Sequence, residues 1–183
     1  KNDFTKIYRK LGYGQELIKD SDSLSYVAKI NDKLWLLMVD VNANSKIEYL
    51  TDETLTWAKK QLEEAKQAGA TVIGVSHQNL LSHVNSAKFH NQMGEYAQLL
   101  NLYKENDVKL HFSGHMHLQH IAQNQGITDI ASSSMAVSPN QFGILKIDEN
   151  KSMTYKTIPV DVNSWTQKNN ITDQNLKDFT NYS

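Results

Sequence analysis

Thr71-Val72-Ile73-Gly74-Val75-Ser76-His77 and Val108-Lys109-Leu110-His111-Phe112-Ser113-Gly114-His115-Met116-His117 are the stretches whose reading decides the fold. Each is a short apolar run of buried-strand character that passes directly into histidine. Between them, Tyr96, Leu99, Leu100 and Tyr103 share one face, which predicts a helix over 94–105. Upstream, Leu55, Ala58, Leu62 and Ala65 recur at helical spacing, with Thr51 able to cap the start and Gly69 to end it, so a helix is expected over 51–68. Helix, strand, helix, strand at this spacing implies an α/β arrangement with right-handed crossovers between parallel strands.

Outward from this centre, residues 25–30 and 34–39 read as two strands joined by Asn31-Asp32-Lys33. Shorter strands are expected at 120–122, 128–131, 142–148 and 153–158, with a first helix at 5–11 and a last one at 175–179. The core is assigned to 25–160, preceded by a connecting segment 1–24 and followed by a polar tail 161–183. The whole is read as one partial domain.

Composition narrows the chemistry. Nineteen Lys plus Arg against twenty Asp plus Glu, over 183 residues, leave a formal charge of −1, so no whole-molecule field holds a nucleic acid. The longest apolar run, Leu34 to Val39, is six residues, far short of the roughly 20 that span a bilayer. The absence of cysteine excludes disulfides, thiolate metal sites and a cysteine nucleophile. It also fits a bacterial secreted or cell-surface protein better than a cytoplasmic one. No Gly-x-Ser-x-Gly elbow surrounds Ser132-Ser133-Ser134, no glycine-rich phosphate loop is present, and Trp35, Trp57 and Trp165 are scattered, not set along a basic strip. Because the chain opens at Lys1 without Met or a signal-like stretch, it is expected to be a processed or truncated piece.

In open α/β sheets ligands bind beyond the carboxyl ends of the strands, where His77, His115 and His117 are expected. Gly114 is expected to permit the turn that aims both members of the His-x-His pair inward. Three neutral imidazoles form a ligand set for Zn, Mn or Fe. A single strand-end His is ordinarily solvated or satisfied by neighbours; the joint placement is what points to metal.

These residues resemble the calcineurin-like metallophosphoesterases. Gly74-Val75-Ser76-His77-Gln78-Asn79-Leu80 looks like that family's fourth motif and Phe112-Ser113-Gly114-His115-Met116-His117 like its fifth. The resemblance covers about residues 22 to 160 and is nearest to bacterial members with segments like Gly126–Ile130 and Asn140–Asp148. It implies the C-terminal portion of an αββα sandwich with mixed sheets. It also implies a parent enzyme that hydrolyses a phosphomonoester or phosphodiester by attack of metal-bound hydroxide, using two divalent or trivalent ions of the Mn, Fe or Zn class. His77 and His115 would bind one ion and His117 the other, with no catalytic group separate from the metal ligands. The family's Asp-x-His, Gly-Asp and Gly-Asn-His motifs do not occur in this chain. The resemblance therefore implies a missing N-terminal half as partner and little activity for the chain alone. The alternative is a non-catalytic, His-based metal-binding or interaction module.

Among the other candidates, His83 and His90 lie where such enzymes contact phosphate-ester substrates. Asp40 is the nearest carboxylate able to reach the site, against a plain role bonding loop N–H groups. Asp129 and Asp148 read as turn or strand-surface residues, His111 as packing or solvent-facing, and His120 as surface.

Overall fold

The structure, a computed structural model, describes residues 6, 7, 9, 17–42, 47–84 and 92–182. Most of the helix expected at 5–11, and His90, lie outside the described residues. Strands β1 (Ile18–Lys19), β2 (Tyr26–Asn31) and β3 (Leu34–Val39) are antiparallel neighbours. Helix α1 (Asp52–Gln67) then leads to β4 (Thr71–Ser76), and α2 (Tyr96–Glu105) to β5 (Leu110–Ser113). Hairpin strands β6 (His120–Asn124) and β7 (Ile127–Ala131) complete a seven-stranded sheet of order β1-β2-β3-β4-β5-β7-β6. Its middle pairs, β3 with β4, β4 with β5 and β5 with β7, are parallel, and the flanking pairs are antiparallel. Strands β8 (Gln141–Ile147) and β9 (Met153–Pro159) form a separate hairpin, followed by short helices α3 (Val162–Lys168), α4 (Gln174–Lys177) and α5 (Phe179–Tyr182). The α/β class with mixed pairing is as expected.

Successive strand residues face opposite sides, and the two sides of this sheet have different partners. Trp35, Leu37 and Val39 of β3 and Val72 of β4 pack under Leu55, Ala58, Leu62 and Ala65 of α1 and Leu99, Leu100 and Tyr103 of α2. Ile73, Leu110 and Ile130 face the other way, against Leu145, Ile147, Met153 and Tyr155 of the hairpin. The result is helices, sheet and hairpin in layers. Full burial of side chains such as Leu62 and Leu99 stabilises by about 1.5–3 kcal/mol each.

Helix α1 has the ends its sequence promises. Thr51 Oγ1 accepts from Thr54 N at 3.1 Å, Asp52 and Glu53 occupy the first turn, Lys66 the last, and Gly69 takes the left-handed φ of 66° that stops the helix. Two parts of the outer segments differ from expectation. Ile18 and Lys19, inside the supposed connecting segment, already pair with β2. The polar tail contains α3, started by Asp161 accepting from Ser164 N at 2.9 Å; with no apolar period, only that cap signalled it.

A polar column crosses the helix face of the sheet. His111 is fully buried between Tyr103, whose hydroxyl lies 3.1 Å from Nδ1, and Ser76, whose Oγ lies 2.8 Å from Nε2. Because Ser76 Oγ donates to Gln78 O at 2.5 Å, it accepts Nε2–H, and Nδ1 accepts from Tyr103. Burial pushes the imidazole of His111 down to about 4, with His83 adding to the effect and the Asp129 charge opposing it. Burial, reinforced by Asp129, likewise raises the Tyr103 phenol. Gly74 leaves room for this column: a Cβ there would fall 2.0 Å from Tyr103 Oη and 2.5 Å from His111 Nδ1.

Two outcomes follow. Gly74→Ala overpacks two enclosed rings and should cost at least about 1–3 kcal/mol in urea unfolding. His111 stays neutral when folded yet takes up a proton when unfolded below its ordinary value of 6.5. Its contribution is therefore present above that pH and lost as pH falls toward about 4, reaching on the order of 3 kcal/mol. Unfolding free energies at pH 7 and 5 should diverge less in His111→Leu, which is less stable at both, than in the unaltered chain.

Candidate metal centre

The parallel strands deliver their carboxyl ends to one edge of the sheet. His77 directly follows β4, and the Ser113-Gly114-His115-Met116-His117 turn closes β5. The two loops are tied by Gly114 N donating to His77 O at 3.0 Å. This brings His115 Nδ1 to 3.4 Å from His77 Nε2, with the rings nearly perpendicular, 85° between planes. Two nitrogens 3.4 Å apart, each roughly 2.0–2.1 Å from one ion, subtend about 110° at it, the tetrahedral value.

The turn is made differently from expectation. Gly114 does not take a positive φ, and a Cβ on it would make only ordinary contact, 3.7 Å from His77 O. The left-handed residues are His115 and His117, at φ 61° and 53°. Such conformations cost about 1–3 kcal/mol in a non-glycine residue and persist where the surroundings impose them.

His117 is exposed, and its influence on the pair is electrostatic. Partial burial, then the charges of His115 and His117, lower the His77 imidazole, and Glu48 opposes them. The ring is open at its edge, so solvent screens the effect. The direction still favours the neutral imidazole that a metal requires. Among the described residues no group of three His, Asp or Glu side chains converges on one metal position. The described residues thus present a fitting pair of donors and an incomplete coordination shell. Glu48, held at a left-handed φ of 61°, places Oε1 4.0 Å from His115 Nε2. Sequence reasoning missed it because it lies in a loop without motif or period.

Asp129 corrects a more consequential expectation. It is fully buried, not on a strand surface. β7 pairs with β5 so that Asp129 stands beside His111 on the helix face. Its Oδ2 accepts from Leu80 N and Leu81 N, both at 2.8 Å, and its Oδ1 from Ser113 Oγ at 2.7 Å. Asn79 Nδ2 in turn donates to Ser113 Oγ at 2.7 Å. The carboxylate therefore clamps the loop after His77 to the strand end before His115. Burial by itself would raise this carboxyl, but His83, His111, Leu81 and Ser113 together hold it below its usual range.

The remaining candidates separate. Asp40 has the plainer role, accepting from Leu24 N and Asn42 N, both at 2.9 Å. His83, expected as a substrate contact, has a side chain with no solvent exposure; Nε2 sits 3.3 Å from Asp129 Oδ2, off hydrogen-bond alignment, and Nδ1 lies 3.0 Å from His120 Nδ1. His120, expected as plain surface, is exposed but engaged through that contact.

The arrangement has parallels among solved structures. A dimetal phosphatase from Danio rerio superposes with a TM-score of 0.60 over 74% of this chain, at 12% identity. The fold is metallophosphoesterase-like. The chain spans 58% of the length of that phosphatase. Two more distant matches are GAP50, the anchor in the inner membrane complex of Plasmodium, and a protein described as a 5′-nucleotidase from Staphylococcus aureus, solved with alpha-ketoglutarate. The first has 20% identity, 73% of this chain, 44% of that chain and a TM-score of 0.49; the second has 14%, 74%, 29% and 0.45. No protein-family profile matches the chain, and no curated protein matches it by sequence. Among the described residues no helix is long and apolar enough to cross a membrane.

Asp129→Ala removes the acceptor for three buried donors and should lower stability by more than about 3 kcal/mol in urea unfolding. Asp129→Asn keeps one carbonyl oxygen and should fall between. Amide exchange at Leu80 and Leu81 should accelerate in both variants relative to amides of α1.

Proposed function

We propose that this chain is the metal-binding C-terminal part of a phosphoesterase that hydrolyses phosphomonoesters or phosphodiesters. The observation that supports the reading is the His77 and His115 pair, 3.4 Å apart at the carboxyl edge of a sheet whose fold resembles that of a dimetal phosphatase. His77 and His115 would share one ion of the Mn, Fe or Zn class, and His117 would serve a second. A bound ion of this kind neutralises phosphate charge and activates water. The chain's residues supply the rest: partial burial and the neighbouring imidazoles bias His77 toward its neutral form, Gly114 N–H ties the loops together, and Asp129 holds both loops to β7. His90 is the better candidate for meeting the phosphate, since the His83 ring is enclosed.

A complementary N-terminal half would bring the missing carboxylate and Asn ligands and add strands beside β8 and β9, which are a sheet of only two strands among the described residues. A secreted or cell-surface location suits the cysteine-free composition. The second reading, a non-catalytic metal-binding module, draws on the same two-donor geometry without the complementary half.

Calorimetric titration of the metal-free chain with Zn²⁺ or Mn²⁺ should show an ion whose affinity drops at least tenfold in His115→Ala. No binding would sink both readings. The isolated chain should turn over bis(4-nitrophenyl) phosphate at background rate with Mn²⁺. Substantial turnover abolished by His115→Ala would show that the missing motifs are dispensable. Intact-mass analysis of the protein from its native source separates the two readings, since only the first expects the N-terminal motifs.

A further inference from the structure

A contact between two imidazoles joins the segment after β4 to the edge strand β6. His83, on that segment, and His120, the first residue of β6, set their Nδ1 atoms 3.0 Å apart. With ring centroids 5.2 Å apart and planes 80° from parallel, the rings meet end to end, as a nitrogen–nitrogen hydrogen bond requires. The two partners differ in their access to water: the His83 side chain has none, and His120 is exposed. Two further titratable groups face His83 from the sheet, Asp129 of β7, whose Oδ2 lies 3.3 Å from Nε2, and His111 of β5, which feels the His83 charge. A bare Nε2 would set its lone pair against the Asp129 carboxylate. The proton of a neutral His83 therefore belongs on Nε2, and Nδ1 accepts from His120 Nδ1–H.

We propose that this contact is a latch between the segment after β4 and the sheet edge, opened by acid. A bond between two imidazoles needs one nitrogen that carries a proton and one that does not. A first added proton can settle on Nε2 of the exposed His120, which leaves the bond in place and makes its donor cationic. A second has only His83 Nδ1 to take. Two N–H groups on cationic rings then face each other across 3.0 Å, and the rings must separate. Asp129 stands where it can balance the charge on His83, and His111, neutral in the folded chain, adds none against it. Imidazoles change charge between about pH 8 and 5, so the latch is shut at neutral pH and opens on acidification. Opening gives the enclosed His83 ring a route to water and uncouples its segment from β6. The Leu80 and Leu81 amides, bonded to Asp129 and not to the latch, mark where the freed part begins. The device stands whether or not the chain belongs to a phosphoesterase.

The test is a double-mutant cycle in the full chain, with His83→Ala, His120→Ala and both together, followed by urea unfolding at about pH 7.5 and about pH 5. At the higher pH the two side chains should couple by about three- to tenfold in the unfolding constant, the range of one hydrogen bond. At the lower pH that coupling should vanish. The other histidines titrate alike in all four chains and cancel from the cycle. A measurement on the unaltered chain stands beside it in case His83→Ala does not fold: ring ¹⁵N spectra should show His83 Nδ1 without a proton at the higher pH, with a ring-to-ring NOE to His120, and both Nδ1 atoms protonated at the lower pH, with the NOE lost. No coupling at the higher pH would overturn the latch. So would a coupling, or an NOE, that survives acidification unchanged.

Discussion

One buried carboxylate organises the edge of the sheet where the candidate metal ligands gather. Asp129 is withdrawn from water at a cost that only hydrogen bonds and neighbouring positive character can offset. Its partners come from three places: two amides after β4, the Ser113 hydroxyl at the end of β5, and the His83 ring. None of these groups would adopt its position on local preference alone. The left-handed His115 lies two residues beyond Ser113, so part of the strain in the turn is held against this anchor.

The sheet explains why the anchor works. Parallel pairing of β5 with β7 places Asp129 beside His111, and both face the helices together with Tyr103 and Ser76. A polar column inside an apolar layer is tolerable because nearly every member has a partner. The opposite face is built on apolar contacts: Ile73, Leu110 and Ile130 pack with Leu34, Leu36 and Phe112 of the sheet and with hairpin side chains such as Leu145 and Ile147. Polar specification and apolar packing are thus divided between the two sides of one sheet.

The legible parts of the sequence were those with a local signal. β3 begins and ends where its apolar run does, and α1 runs between Thr51 and Gly69 because a cap, a period and a terminator agree. The placement of His77 and His115 beyond strand ends was legible because each closely follows an apolar run. Asp129, Glu48 and the His83 with His120 contact were not, since each depends on residues brought together from distant parts of the chain. A lone Asp in a short strand reads as surface until the neighbouring strand is known to put a histidine beside it. The role given to Gly114 failed for a related reason: glycine permits a left-handed backbone, but the turn places His115 and His117 there instead.

The clamp also orders events in time. Asp129 is 48 residues from Leu81 and 49 from Leu80 in sequence, so closing it costs more chain entropy than the pairing of β2 with β3. During synthesis His77 and His115 join the chain before residue 129 does, and until then the loops that carry them lack its carboxylate. The Gly114 N to His77 O bond draws the two imidazoles together, and the loops that carry them gain their buried anchor when β7 docks beside β5. A chain stalled before that step holds its helices and central strands but carries the pair on loops without their buried anchor, and metal met at that stage finds a looser site.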